Sequence, residues 1–123
     1  MASKFPFYVG RTIIYSDTEK FTVKAVARVD ETRGDWIFAR CLLLVQVDEK
    51  EPELCFTYAQ RKKTAQEWEQ GEPRGGGKTY VNMLPETLVE LVLKAISGDC
   101  EGSFEPAKSR LKPFRELEAA NGF

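Results

Sequence analysis

Along Trp36–Val47 the side chains alternate, and one of the two sets mixes rings with a cation: Trp36, Phe38 and Arg40, followed by Leu42, Leu44 and Gln46. The preceding run, Phe21–Val29, sets Lys24 and Arg28 apart from its main apolar series. In a strand, residues i and i+2 share a face. A face of this composition stacks nucleobases on its rings, at ~1–3 kcal/mol per base, while Lys and Arg meet phosphates. Tyr58 and Tyr80 are candidates for the same surface, and Arg61, Lys62, Lys63 and Lys78 add positive charge near it. Stacking is nearly indifferent to base identity, so the expected activity is weakly selective binding of single-stranded DNA or RNA. The competing reading is structural: Trp36, Phe38, Leu42 and Leu44 are core, under the N-terminal arm or against another sheet.

Other chemistries find less support. The chain has no histidine, which removes every Ser-His or Cys-His dyad and every His-ligated metal site within it. Its three cysteines, Cys41, Cys55 and Cys100, are odd in number and lack C-x-x-C spacing, so reduced thiols are expected rather than a disulfide framework or a zinc site. Gly71-Glu72-Pro73-Arg74-Gly75-Gly76-Gly77-Lys78-Thr79 is close to a phosphate-binding loop, but five residues separate Gly71 from Gly77 where the motif needs four. A strand-like Lys-Thr-Tyr-Val follows it in place of a helix, so no helical N–H groups aim at a phosphate. The acids Asp48, Glu49, Glu51 and Glu53 lack EF-hand spacing and read as a solvated turn. No base can be paired with a Ser, Lys or Tyr nucleophile from spacing. No catalytic residue, metal or cofactor is therefore assigned, and the protein is expected not to be an enzyme.

Charge informs only through its distribution. Eighteen Lys and Arg against nineteen Asp and Glu leave a net charge of −1, so bulk charge selects no partner. Residues 1–28 carry Lys4, Arg11, Lys20, Lys24 and Arg28 against Asp17 and Glu19, while the 48–53 turn is acidic. That separation is what a binding face requires. With 42% hydrophobic and 30% charged residues, the 123-residue chain has the composition of one packed domain. It contains no apolar run of ~18 residues and begins without a secretory stretch, so an intracellular protein off the membrane is expected.

These groups need a scaffold. Arg11–Tyr15 reads as an edge strand. Phe21–Val29 reads as a strand with Phe21, Val23, Ala25, Ala27 and Val29 on one face and Thr22, Lys24, Val26 and Arg28 on the other. Polar Asp30–Asp35 links it to Trp36–Val47 as a hairpin. Leu54–Ala59 is the next strand, a mobile loop over 60–77 carries Trp68, and Lys78–Met83 is extended again. Pro85-Glu86 opens a helix that Gly98 ends. Its residues Leu88, Val89, Leu91, Val92, Leu93 and Ile96 are apolar on nearly all sides, so a second chain is the expected cover. The fold expected is α+β: an antiparallel sheet of four to five strands followed by one long helix. An arm and edge strand occupy 1–20, the core domain 21–98, and a flexible tail 99–123.

Four strands, a Gly- and Lys-bearing loop and a Pro-Glu-started helix together resemble the Whirly, Pur-alpha and positive-cofactor-four superfamily. The likeness covers residues 20–98 by element order, and by residue only Gly77-Lys78-Thr79-Tyr80-Val81-Asn82-Met83-Leu84-Pro85-Glu86-Thr87-Leu88. In the coactivator branch a lysine-glycine pair leads into the last strand; here Lys78 follows its glycines, and Leu88 stands where that branch tends to have tryptophan. The resemblance implies a homodimer built on the helix, its sheets open to single strands, in a transcription or replication accessory role without catalysis. The alternative is a protein-interaction or adaptor module that uses the sheet edge, the apolar helix and a protein partner for the tail 106–123. A small β-barrel carrier would need more strands than this chain supplies.

Overall fold

The alternating runs become strands of an antiparallel sheet: β1 (Thr12–Ser16), β2 (Glu19–Arg33), β3 (Trp36–Val47) and β4 (Glu53–Lys62). The computed structural model describes residues 5–16, 19–70, 74–75 and 85–111. Among the described residues, six of the seven strands of the sheet precede the one α-helix, as the α+β reading expects. Asp30–Arg33, expected in the linking segment, instead extends β2, because its residues pair one by one with Trp36–Ala39 of β3. The hairpin closes on Gly34-Asp35 alone. Gly34 adopts φ +58°, the positive value that two-residue hairpin loops demand and that glycine supplies without a Cβ clash.

The face pattern read for Phe21–Val29 is corrected by one residue. Val23 pairs with Val45 but Ala25 pairs with Leu44, so Lys24 is an extra residue in β2 and the alternation shifts there. Ala25, Ala27 and Val29 then face one way, while Val23, Val26 and Arg28 face the other. Lys24 remains exposed at the bulge.

Both faces of the sheet are covered. On one side α1 (Pro85–Ser97) lays Leu88, Leu91, Val92 and Ala95 against Ala25, Ala27, Leu42, Leu44 and Phe56. On the other, the arm inserts Phe7 against Val23, Val26, Cys41, Leu43 and Val45, with Trp68 and Phe5 at its margin. This is why Ala39–Val45 is an unbroken buried run; a strand covered on both faces cannot display a solvated alternation.

Three expectations change with this packing. The helix that needed a second chain finds its cover within the molecule. Leu88, Val89, Leu91 and Val92 are all buried, Ile96 packs on the same cluster, and of the six residues assigned to a dimer interface only Leu93 is exposed. The core does not stop at residue 98 either. A short strand, β7 (Glu101–Gly102), pairs with β2, and a 3-10 helix (Glu105–Leu111) buries Ala107 and Leu111, with Phe104 just before it. Residues 99–111, expected as the start of a tail, thus complete the helix-side core. Finally, Gln60–Lys62 belong to β4, and the chain returns to pair with it through β5 (Glu69–Gln70) and β6 (Arg74–Gly75). Lys63 N–H donates to Asp35 O at 2.9 Å, tying the end of β4 to the hairpin turn. The extended segment expected at Lys78–Met83, including Lys78 and Tyr80, lies outside the described residues.

Candidate nucleic-acid interface

Strand register decides which candidate side chains share a surface. Directly opposed residues of an antiparallel pair point to the same face, and three cross-strand rows can be read across the hairpin end of the sheet. Arg33, Trp36 and Lys62 form the outermost row. Glu31, Phe38 and Gln60 form the next, and Val29, Arg40 and Tyr58 the third. All lie on the helix side of the sheet, beyond the region where Leu42, Leu44 and Phe56 are packed under α1. Five of the residues singled out in the sequence, Trp36, Phe38, Arg40, Tyr58 and Lys62, are thereby brought onto one surface.

Two of the cations of this surface, Lys62 and Arg40, stand against rings. Lys62 Nζ stands 5.7 Å from the Trp36 ring centre. The Arg40 guanidinium lies between two rings, 5.1 Å from Phe38 and 5.6 Å from Tyr58. Trp36, Phe38 and Tyr58 are each half-buried. They are rooted in the sheet yet keep part of their surface open, which is the geometry a stacking platform needs.

Arg40 itself is not open. Its side chain is only 9% exposed, and Nε is 3.6 Å from the Glu31 carboxylate with no hydrogen-bond partner. The exposed guanidinium expected at Arg40 is therefore corrected to a buried one. A charge this buried must be compensated; Glu31 does so from β2, and the guanidinium spaces the two rings beside it. Glu31 also lies 3.6 Å from Arg33 and accepts a hydrogen bond from Thr87 in the first turn of α1. A carboxylate there meets the positive end of the helix dipole. Sequence reading missed Arg33, Glu31 and Thr87. For Arg33 the signal was present, since it directly precedes the Gly34-Asp35 turn and must face Trp36 once that turn is taken as two residues.

Arg28 and Arg61, assigned to the same face, are on the opposite one. There they flank Trp68, at 5.0 and 5.1 Å from its ring, and Phe5 meets that ring edge-on at 5.1 Å. Arg28 is further held by Asp30 through two contacts of 2.7 and 2.9 Å. Arg61 donates to the Ala65 carbonyl at 3.1 Å. These guanidiniums are spent on fixing the arm and the 63–70 segment to the sheet. The bulge at Lys24 and the side of Trp68 were not legible, because neither leaves a periodic trace. Lys63 is exposed beside the Arg33–Trp36–Lys62 row, and Lys24 is remote from it.

The thiols do not form a site. Burial pushes the Cys41 thiol far above its ordinary range, and partial burial with Asp99 beside it raises that of Cys100. Among the described residues no three His, Cys, Asp or Glu side chains are grouped to hold a metal ion, and no helix is long and apolar enough to cross a membrane. No family model, curated protein or solved structure matches the chain.

Proposed function

We propose that this protein binds single-stranded nucleic acid, without catalysis, across the hairpin end of the helix-side face. Trp36, Phe38 and Tyr58 stack the bases, and Arg33, Lys62 and Lys63 neutralise phosphates. The observation that carries this reading is the three-row surface itself: half-buried rings on adjacent strands, with exposed cations along its outer row. Rings on neighbouring rows of a sheet offer successive bases separate platforms, and flanking ammonium and guanidinium groups need no fixed base sequence. Arg28 and Arg61 are left out of the binding set because they already grip Trp68.

Fluorescence anisotropy with a labelled strand of ~20 nucleotides, titrated at two salt concentrations, tests the proposal. Binding that weakens as salt rises is expected, since each phosphate contact releases counterions. Absence of binding at the lower salt concentration overturns it and leaves the adaptor reading, in which the sheet edge, the helix and the tail 106–123 meet a protein.

A further inference from the structure

The middle row of the proposed binding face differs in kind from the outer one. Trp36 stands between two cations, Arg33 and Lys62, whereas Phe38 stands between Glu31 on β2 and Gln60 on β4. The row runs on to Glu69 of β5, directly opposite Gln60. Gln60 Nε2 donates to the Glu69 carboxylate at 2.9 Å. Only the NH2 half of an amide can donate to a carboxylate, so this bond fixes which way the group is turned. Its nitrogen is committed to β5, and Oε1 is left on the side away from Glu69. Across Phe38, the Glu31 carboxylate accepts from Thr87 and lies beside Arg33 and Arg40. A carboxylate has no donor to offer. A base lying on the Phe38 ring therefore has an acceptor on either flank.

We propose that this row makes the face prefer bases that carry an exocyclic amine over thymine and uracil, with Gln60 as the specificity-determining residue. The preference rests on the single-strand reading and names the bases that surface takes. Adenine, cytosine and guanine each place an NH2 donor on an edge, while the exocyclic polar groups of thymine and uracil are carbonyl oxygens. Phosphate contacts do not read this difference. The base edge does. An amine donates to Gln60 Oε1, whereas a carbonyl facing the same oxygen pairs acceptor with acceptor and loses its hydrogen bond. Turning the amide over to meet that carbonyl would break the bond to Glu69. Glu69 thus positions the amide, and Gln60 reads.

Anisotropy titrations with labelled strands of ~20 deoxycytidines or ~20 deoxyuridines test this, because the two bases have the same ring size and differ by an N4 amine against an O4 carbonyl. At mildly alkaline pH, where cytosine is uncharged, the cytidine strand should bind roughly three- to tenfold tighter, the worth of one hydrogen bond. Gln60→Leu should bring the ratio near one by weakening the cytidine strand. Affinity for the uridine strand should stay within about twofold, since rings and cations are untouched. Glu69→Ala should lower the ratio partway by freeing the amide to turn; the ratio cancels the general gain from removing an acid. Glu69 is exposed, so this variant carries the test if circular dichroism shows Gln60→Leu unfolded. Equal binding of the two strands by the wild type overturns the preference and leaves single-strand binding standing. A preference that persists in the folded variants overturns the role of Gln60. Failure of both strands to bind at low salt overturns the single-strand reading and the preference with it.

Discussion

Thr87, in the first turn of α1, donates its hydroxyl hydrogen bond to the Glu31 carboxylate on β2, fifty-six residues earlier in the chain. This one contact seats the start of the helix on the far half of the hairpin. It also fixes the carboxylate that faces the buried guanidinium of Arg40 and the exposed one of Arg33. The ring spacing of the proposed binding surface therefore depends on a carboxylate that touches no ligand.

Removing that carboxylate should cost more than losing a hydrogen bond. Glu31→Gln leaves the Arg40 charge buried without compensation, and breaking one side of a buried pair is strongly destabilising. Glu31 is 17% exposed and the pair is 3.6 Å apart, so a loss of about 2–3 kcal/mol in urea unfolding is expected, below the ~3–5 kcal/mol of fully buried pairs. Arg40→Met in the same chain should recover much of it, because no orphan charge then remains. Equal losses in the single and double variants would show that Glu31 acts through Thr87 alone.

Gly102 should tolerate no side chain. It sits at φ +74°, and a Cβ there would lie 2.3 Å from the Lys24 carbonyl oxygen, at the β2 bulge. The obstacle is backbone, which cannot rotate away as a side chain can. Gly102→Ala is expected to destabilise by about 1–3 kcal/mol through strain and displacement of β7, measured as a drop in melting temperature. Gly34→Ala meets nothing within 4 Å, so its smaller penalty, from φ alone, is the control.

How far the sequence could be read follows from where its regularity breaks. Period-2 alternation located β2 and β3, and Pro85-Glu86 with Gly98 located α1, because those signals are local. The face assignments failed at Lys24, since one inserted residue inverts every side chain after it and a bulge has no composition of its own. Trp36 and Phe38 share a face by alternation within β3, whereas the face of Tyr58 rests on the pairing of β3 with β4, which no local signal marks. Arg28 was misplaced because it lies beyond the bulge at Lys24. The burial of Phe104, Ala107 and Leu111 was illegible as well: a 3-10 segment that adds three side chains to a core made elsewhere has no periodic stripe.

Alkaline destabilisation should be traceable to Cys41. Its thiol ionises near 9.0 when unfolded, and burial raises that value far higher in the folded protein. Above that pH the unfolded chain loses a proton that the folded chain keeps, so stability falls as pH rises, by about 1.4 kcal/mol per unit for this one group. Below it the thiol is protonated in both states and contributes no slope. Cys41→Ala should be less stable at neutral pH but lose less between pH 9 and 10.5 than the wild type. Parallel curves for the two proteins would assign the alkaline loss to other groups.

Stacking and charge should separate on the outer row of the proposed interface. Lys62 is exposed and stands 5.7 Å from the Trp36 ring. Lys62→Ala should weaken single-strand binding about equally for all sequences and lower the slope of log affinity against log salt by about 0.7, the share of one phosphate contact on a single strand. Trp36→Ala should cost ~1–3 kcal/mol of binding and leave that slope nearly unchanged, because a stacked ring releases no counterions. Its effect on melting should be small, since the ring is only half-buried and lies beyond the helix-covered core. Leu42→Ala, on the same strand and face but fully buried under α1, should show the reverse: about 2–5 kcal/mol of stability lost and unaltered affinity while folded. If Trp36→Ala collapses the melting temperature as Leu42→Ala does and binding is untouched, the ring is core and the aromatic rows are not the platform.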